Sequence, residues 1–421
     1  MPDSHDRRAA WTPAKRPEWL TTLNTLALDL DGKAIVPLDE ASLLGEAMRN
    51  TGLEDFGDDN WRPHFRTLIR LIEDEAKLNF FGRILTRSDF LIYLAARLRI
   101  VDAFRTHPEI DAEVIKEPVF VLGLGRSGTT ILQDVLSHDP QFRSVRKWEA
   151  LFPWPAPEPE TYEDDPRIAK AQGIADVYQA ATPEVRAMHD ADGDQPVEDT
   201  EFTYPAFMSE VWTWVYKIPS WEAYFAAQDL DHHFAWHKKT LKFLQWRHRK
   251  PHWLLKNPTH MPRIPQLLRH YPDAKFIFTH RDPIPSADSL TNLMGTIFWL
   301  RTDHPYGSGT DDDFALADHR ALLWDKVIDW IESGVIAKGS SAHIQYRDFM
   351  QAPMAAIERA YRDIGLPFGQ EALTAMSAHL ARKPQGVHGK HDYQRVDAAV
   401  IAEERAKYRR YQDYFKVPSE V

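Results

Sequence analysis

Two short stretches carry residue types that handle phosphate, each at the end of an apolar run. In VFVLGLGRSGTT (119–130) four apolar residues lead into a glycine-rich turn and then the start of a helix. The backbone N–H groups of Gly125, Arg126, Ser127, Gly128, Thr129 and Thr130 have the spacing to curl around an anion, and the helix dipole favours the same charge. A nucleotide triphosphatase carries a lysine directly after the second glycine of such a turn. Here Gly128 is followed by Thr129, and the cation, Arg126, lies inside the turn. In FIFTHRDPIPSADSL (276–290) a strand delivers Arg281, with Ser289 eight residues later. A guanidinium fork and a hydroxyl so placed can share one phosphate.

Proton transfer needs a further group, and two residues compete for it. Glu149, in VRKWEALFP (145–153), follows the helix that opens at the glycine turn. His260 follows Lys256 in LLKNPTH (254–260). A histidine accepts protons readily near neutral pH, whereas a carboxylate needs its pKa raised by burial. Both stay open, as does the role of Lys256 in holding the transferred group.

These residues need strand ends to position them. Apolar runs at Val119–Leu122, Trp253–Leu255, Lys275–Thr279 and His343–Tyr346 alternate with helical stretches at 129–137, 286–294 and 354–364. That alternation predicts an α/β fold with a central parallel sheet flanked by helices. Before it, residues 1–115 read as an irregular lead-in and a helical lobe, with residues 116–421 as the α/β domain. Asp39 can cap a helix over Glu40–Arg49, and Phe65, Leu68, Ile69, Ile72 and Ala76 fall on one helical face. Two long stretches, 153–205 and 295–313, are rich in Pro, Gly and Asp and are expected as lids or solvated loops. Within the first, the acidic run DADGDQPVEDTE (190–201) has Gln195 where a calcium loop needs glycine, so it reads as a solvated acidic lid. His233 and His237, at i and i+4, read as a surface helix face.

Composition bounds the partners. The net charge of −11 excludes a general nucleic-acid binder. The absence of cysteine excludes disulfides and thiolate chemistry. No signal-peptide or membrane-spanning pattern is present, so a cytoplasmic monomer or homodimer is expected. With 14 Trp, some can line a pocket for a bulky apolar ligand, and Trp212, Trp214, Trp221 and the acidic residues near Glu198 lie where an acceptor pocket would form.

Taken together, VFVLGLGRSGTTILQ and KFIFTHRDPIPSADSL resemble the two cofactor motifs of the sulfotransferases that use 3′-phosphoadenosine 5′-phosphosulfate (PAPS), in the bacterial branch. The resemblance continues through LLKNPTHMPRIPQLL, IQYRDFMQAPMAAIERAYRDIGLP, PQGVHGKHDYQ and the lead-in LEDFGDDNWRPHF, about three quarters of the chain. It implies a P-loop-type sulfotransferase fold and a glycine turn that binds the 5′-phosphosulfate, with Arg126 as its basic residue. It also implies that Arg281 and Ser289 bind the 3′-phosphate, that Gly389, Lys390 and His391 close over it, and that no metal is required. Where the family usually carries Tyr-Glu-Asp, this chain has Tyr346, Arg347 and Asp348. The implied reaction moves a sulfuryl group from PAPS to a hydroxyl, or less readily an amine, of a small-molecule, lipid or carbohydrate acceptor. The alternatives are an ATP-dependent kinase or triphosphatase, disfavoured by the missing lysine, and a non-catalytic nucleotide-binding protein.

Overall fold

The computed structural model describes residues 11–184, 192–304, 306, 316–382 and 398–421. Five parallel strands form its frame: β1 (Val119–Leu122), β2 (Phe142–Arg143), β3 (His252–Lys256), β4 (Lys275–His280) and β5 (Ser341–Gln345). Their spatial order is β2-β3-β1-β4-β5. β1 is central, with Val121 opposite Lys256 on one side and Ile277 on the other. Its four residues are all buried and alternate between two cores. Val119 and Val121 pack with Leu132, Val135 and Ile357, while Phe120 and Leu122 pack with Leu255, Phe276 and Trp148. Strands this short and apolar persist because helices cover both faces. The parallel α/β expectation thus describes the fold, and β2 escaped it because two residues carry no period.

The helical lobe is tied into the same core. Asp39 caps the helix Glu40–Thr51, accepting from the Ser42 N–H at 2.9 Å, and Gly52 ends it in the left-handed region. From the helices Arg62–Glu75 and Phe80–Thr106, Phe65 and Phe90 meet Phe207 ring to ring.

The first expected loop is corrected, and of the second, residues 305 and 307–313 lie outside the described residues. Residues 153–205 contain the helix Pro166–Ala181, begun by the Asp165 cap, and its Ala171 and Ala175 let it pack closely. The second stretch begins inside the helix Pro283–Trp299. Gly295 reads as a breaker in sequence but serves close approach, since a Cβ there would meet the Trp11 indole at 2.3 Å.

Candidate active site

β1 delivers the glycine turn at the carboxyl edge of the sheet, where open α/β folds place their ligands. Ser127 Oγ and Thr279 Oγ1, 2.7 Å apart, pin the turn to β4. Gly128 adopts φ 96°, and a Cβ on it would meet the Tyr346 ring at 2.7 Å. Only glycine meets both demands. The helix Thr129–Leu136 begins there with no side-chain cap, which leaves its first N–H groups for an anion.

Three cations surround this turn, in two groups. Arg126, itself at φ 70°, donates from Nε to Ser289 Oγ at 2.8 Å. Its carbonyl accepts from Arg281 Nη1 at 3.3 Å, so Arg126, Arg281 and Ser289 form one cluster. Arg281 also stacks on Tyr346, 4.3 Å from the ring centre, and pairs with the Glu420 carboxylate at 3.0 Å. On the other side, Lys256 at the end of β3 is buried, with Nζ 3.2 Å from Thr130 Oγ1 and 2.7 Å from Glu198 Oε1. The position of the missing turn lysine is therefore served by a lysine from the neighbouring strand.

Of the two expected proton acceptors, Glu149 does not line the cavity onto which the turn opens. It is fully buried. Arg143 grips it from Nη2 at 2.5 Å and Nη1 at 3.2 Å, and the Tyr162 hydroxyl and Arg146 N–H donate at 2.7 and 2.9 Å. A carboxylate saturated in this way caps its helix and balances a buried guanidinium. His260 is also buried, with Nε2 2.9 Å from Asp199 Oδ2. His237 Nε2 lies 3.4 Å from the same oxygen, and its Nδ1 is 2.6 Å from the Tyr271 hydroxyl. His233 and His237 are accordingly buried rather than exposed, and Asp199 and Tyr271 supply the partners of His237. Burial would raise the Asp199 carboxyl, but hydrogen bonds from His237 and His260 outweigh it and hold the group well below the usual carboxylate range. Asp199, His237 and His260 place ligand atoms within 4.8 Å of one another, as do Asp134, His138 and His379, so either group could also hold a metal.

The acidic run is corrected as well: Asp199 is buried and Glu198 meets Lys256, so this segment is a wall and not a solvated lid. Backbone bonds from Lys147 N to Gln195 O and from Val197 N to Val145 O, at 2.9 and 3.0 Å, strap it against the chain after β2. Asp199 Oδ1 then accepts from the Lys256 N–H at 3.1 Å, fixing Glu198 and Lys256 together.

The turn, Arg281 and Glu198 open on one cavity of about 820 Å³. Beyond them it runs between apolar and aromatic side chains, among them Tyr93, Tyr204, Trp212, Met294 and Ile297. The profile of the sulfotransferase family matches residues 118–370, more than half of the chain and all five strands of the sheet. The chain belongs to the sulfotransferase family.

Two curated relatives of this sulfotransferase, the omega-hydroxy-beta-dihydromenaquinone-9 sulfotransferase Stf3 of Mycobacterium bovis and that of Mycobacterium tuberculosis, are each 26% identical over 304 residues. The match covers 69% of this chain and 71% of each relative. Among solved structures, sulfotransferase STF9 from Mycobacterium avium superposes with a TM-score of 0.76 at 24% identity, covering 90% of this chain and 97% of its own. STF1 from Mycobacterium tuberculosis gives 0.71 at 24% identity, over 88% and 98%. These likenesses show the fold.

Within the sulfotransferase, Gly125, Arg126, Gly128, Thr129, Thr130 and Arg281 line the cavity, and Lys256 and Ser289 touch those that do. Ser127 is buried and ties the turn down. Gly389, Lys390 and His391 lie outside the described residues. Sequence reasoning set the acidic residues near Glu198 at the acceptor pocket but missed the pairing of Glu198 with Lys256, and it missed Tyr346 as a site residue. The signal for Tyr346 was its place just past the β5 strand, as the first residue of the expected Tyr-Glu-Asp. Arg347 of that triplet is exposed, 3.8 Å from Asp348. No helix among the described residues is long and apolar enough to cross a membrane.

Proposed function

We propose that this sulfotransferase takes its sulfuryl group from PAPS and passes it to the hydroxyl of a sizeable apolar alcohol of the lipid class, in the cytoplasm. One observation carries the reading: Lys256 Nζ bridges Thr130 of the glycine turn and the Glu198 carboxylate, at the junction of the anion cradle and the aromatic chamber. The uncapped helix start and the Arg126–Arg281–Ser289 cluster supply two separate anion sites, which fits a nucleotide phosphorylated at two ends. The 5′-phosphosulfate falls to the turn amides and Lys256, and the 3′-phosphate to Arg281, Ser289 and Arg126. On the resemblance, Gly389, Lys390 and His391 join the latter.

PAPS would supply the sulfuryl group and a phosphate as leaving group. Lys256 neutralises charge on the transferring group and its bridge oxygen, in a pocket where water is excluded. As its ammonium turns to that task, Glu198 is freed to accept the proton of the acceptor hydroxyl. Asp199, through the Lys256 N–H and His260, positions both. The chamber orients the acceptor for in-line approach, and the lipid hydroxyl named for the Stf3 relatives supports an acceptor of that kind.

Thermal shift with adenosine 3′,5′-bisphosphate (PAP) against ADP with magnesium tests the donor. A ligand at 100 times its dissociation constant adds ~2.7 kcal/mol, and no preference for the 3′-phosphate overturns the donor assignment. Glu198→Gln should lower kcat by ~10²–10⁴ with PAP affinity kept. Full turnover in that variant would remove Glu198 from the mechanism.

A further inference from the structure

Where the long helix of the lobe walls the chamber, three polar residues line it that sulfuryl transfer does not use. They are Asp89 from the helix Phe80–Thr106, Tyr178 from Pro166–Ala181, and Arg301 just beyond Pro283–Trp299. Arg301 is buried, and its Nη2 donates to Asp89 Oδ2 and to the Tyr178 hydroxyl, both at 2.8 Å. The Tyr178 hydroxyl in turn donates to Asp89 at 2.8 Å. Arg301 Nε has no partner among the described residues. The guanidinium lies 5.5 Å from the ring centres of Tyr178 and Tyr216. Burial pushes the Asp89 carboxyl up and Arg301 pulls it back.

The three residues line the cavity as well as tying helices together, and the bonds from Arg301 to Asp89 and Tyr178 use Nη2 and leave Nη1 out of them. Tyr204 lines the same cavity, as do Glu201 and Glu198. Both polar groups therefore face one chamber. Asp89 already balances the charge of Arg301, so a charged ligand group would be left uncompensated there, whereas a neutral oxygen would not.

We infer that Arg301 and Tyr178 read a second, uncharged oxygen on the acceptor, so that preferred acceptors are long apolar alcohols bearing another hydroxyl or a carbonyl. This rests on the apolar-alcohol reading above and narrows it. Arg301 and Tyr178 are specificity residues, and the proton and sulfuryl steps do not pass through them.

The test titrates the full chain, saturated with PAP, with long-chain terminal diols and hydroxy-ketones against mono-alcohols of equal length, following quenching of the tryptophans. Turnover with PAPS is measured on the same panel. Wild type should favour the doubly oxygenated compounds by about tenfold in Kd and KM, with similar kcat. Tyr178→Phe, which keeps the ring, and Arg301→Lys should each bring that ratio towards one while PAP affinity persists. Should Arg301→Lys fail to fold, Tyr178→Phe decides. An equal loss for both compound classes makes the cluster structural and overturns the inference. Wild type without a preference also overturns it, and sulfuryl transfer to mono-alcohols in that assay would leave the lipid-alcohol reading standing. If no alcohol binds or turns over, both fall.

Discussion

At the strand edge, each group of the proposed anion site, and the Tyr346 ring on which Arg281 stacks, hangs within a few residues of a strand end: the turn after β1, Lys256 closing β3, Arg281 after β4 and Tyr346 after β5. The chamber beside it borrows its walls from the lobe, from the 153–205 segment and from the helix Pro283–Trp299, and its polar cluster joins residues 212 positions apart. A sheet fixes its strand ends whatever lies around them. A helical wall holds its shape only while every neighbour packs, so the chamber is the part free to vary between acceptors.

The largest effect should fall behind the strand edge, where β2 holds Glu149. Glu149→Gln leaves Arg143 buried without its counter-charge and should cost ~3–5 kcal/mol of stability. Denaturant unfolding would read this, with the folded remainder still binding PAP. Turnover lost at unchanged stability would instead return Glu149 to the catalytic machinery. Next, Arg281→Ala should weaken PAP by ~1.5–3 kcal/mol, with the acceptor KM unmoved. A matching rise in that KM would mean that the edge and the chamber are not separable.

The smallest effect is pH dependence seated in the lobe. Burial, with a contribution from His232, holds His64 down to about 4, while its Nδ1 lies 2.7 Å from the Tyr224 hydroxyl. Between that value and the unfolded one of ~6.5, the unfolded chain binds a proton that the folded chain refuses. Stability should therefore rise with pH across this window, with the gain reduced by solvent screening of a group that burial only half encloses. His64→Gln should flatten the slope of melting temperature against pH. An unchanged slope would shift the acid sensitivity to other buried histidines.

The edge was legible because its signals are local. An apolar run, glycines where the chain turns and a basic residue at a strand end can be read in a dozen letters. Glu149 and Glu198 show where that stops. Glu149 stands three residues after Arg146, a spacing that fits a helix-start cap as well as a catalytic acid, and its pairing with Arg143 on β2 could not be read from that spacing. Glu198 lies in an acidic run whose composition suggests solvent, yet the next residue is buried against two histidines. Gly295 carries the signal of a loop and sits in mid-helix because an indole needs the room.

Short segments were enough to specify the strand–turn–helix at β1 and the cations near it, since backbone conformation and charge are local properties. Long-range packing was needed to bring Glu198 to Lys256 and to turn Arg126 towards Ser289 and Arg281. Partnership and burial are set by segments far apart in the chain, and no local pattern records them.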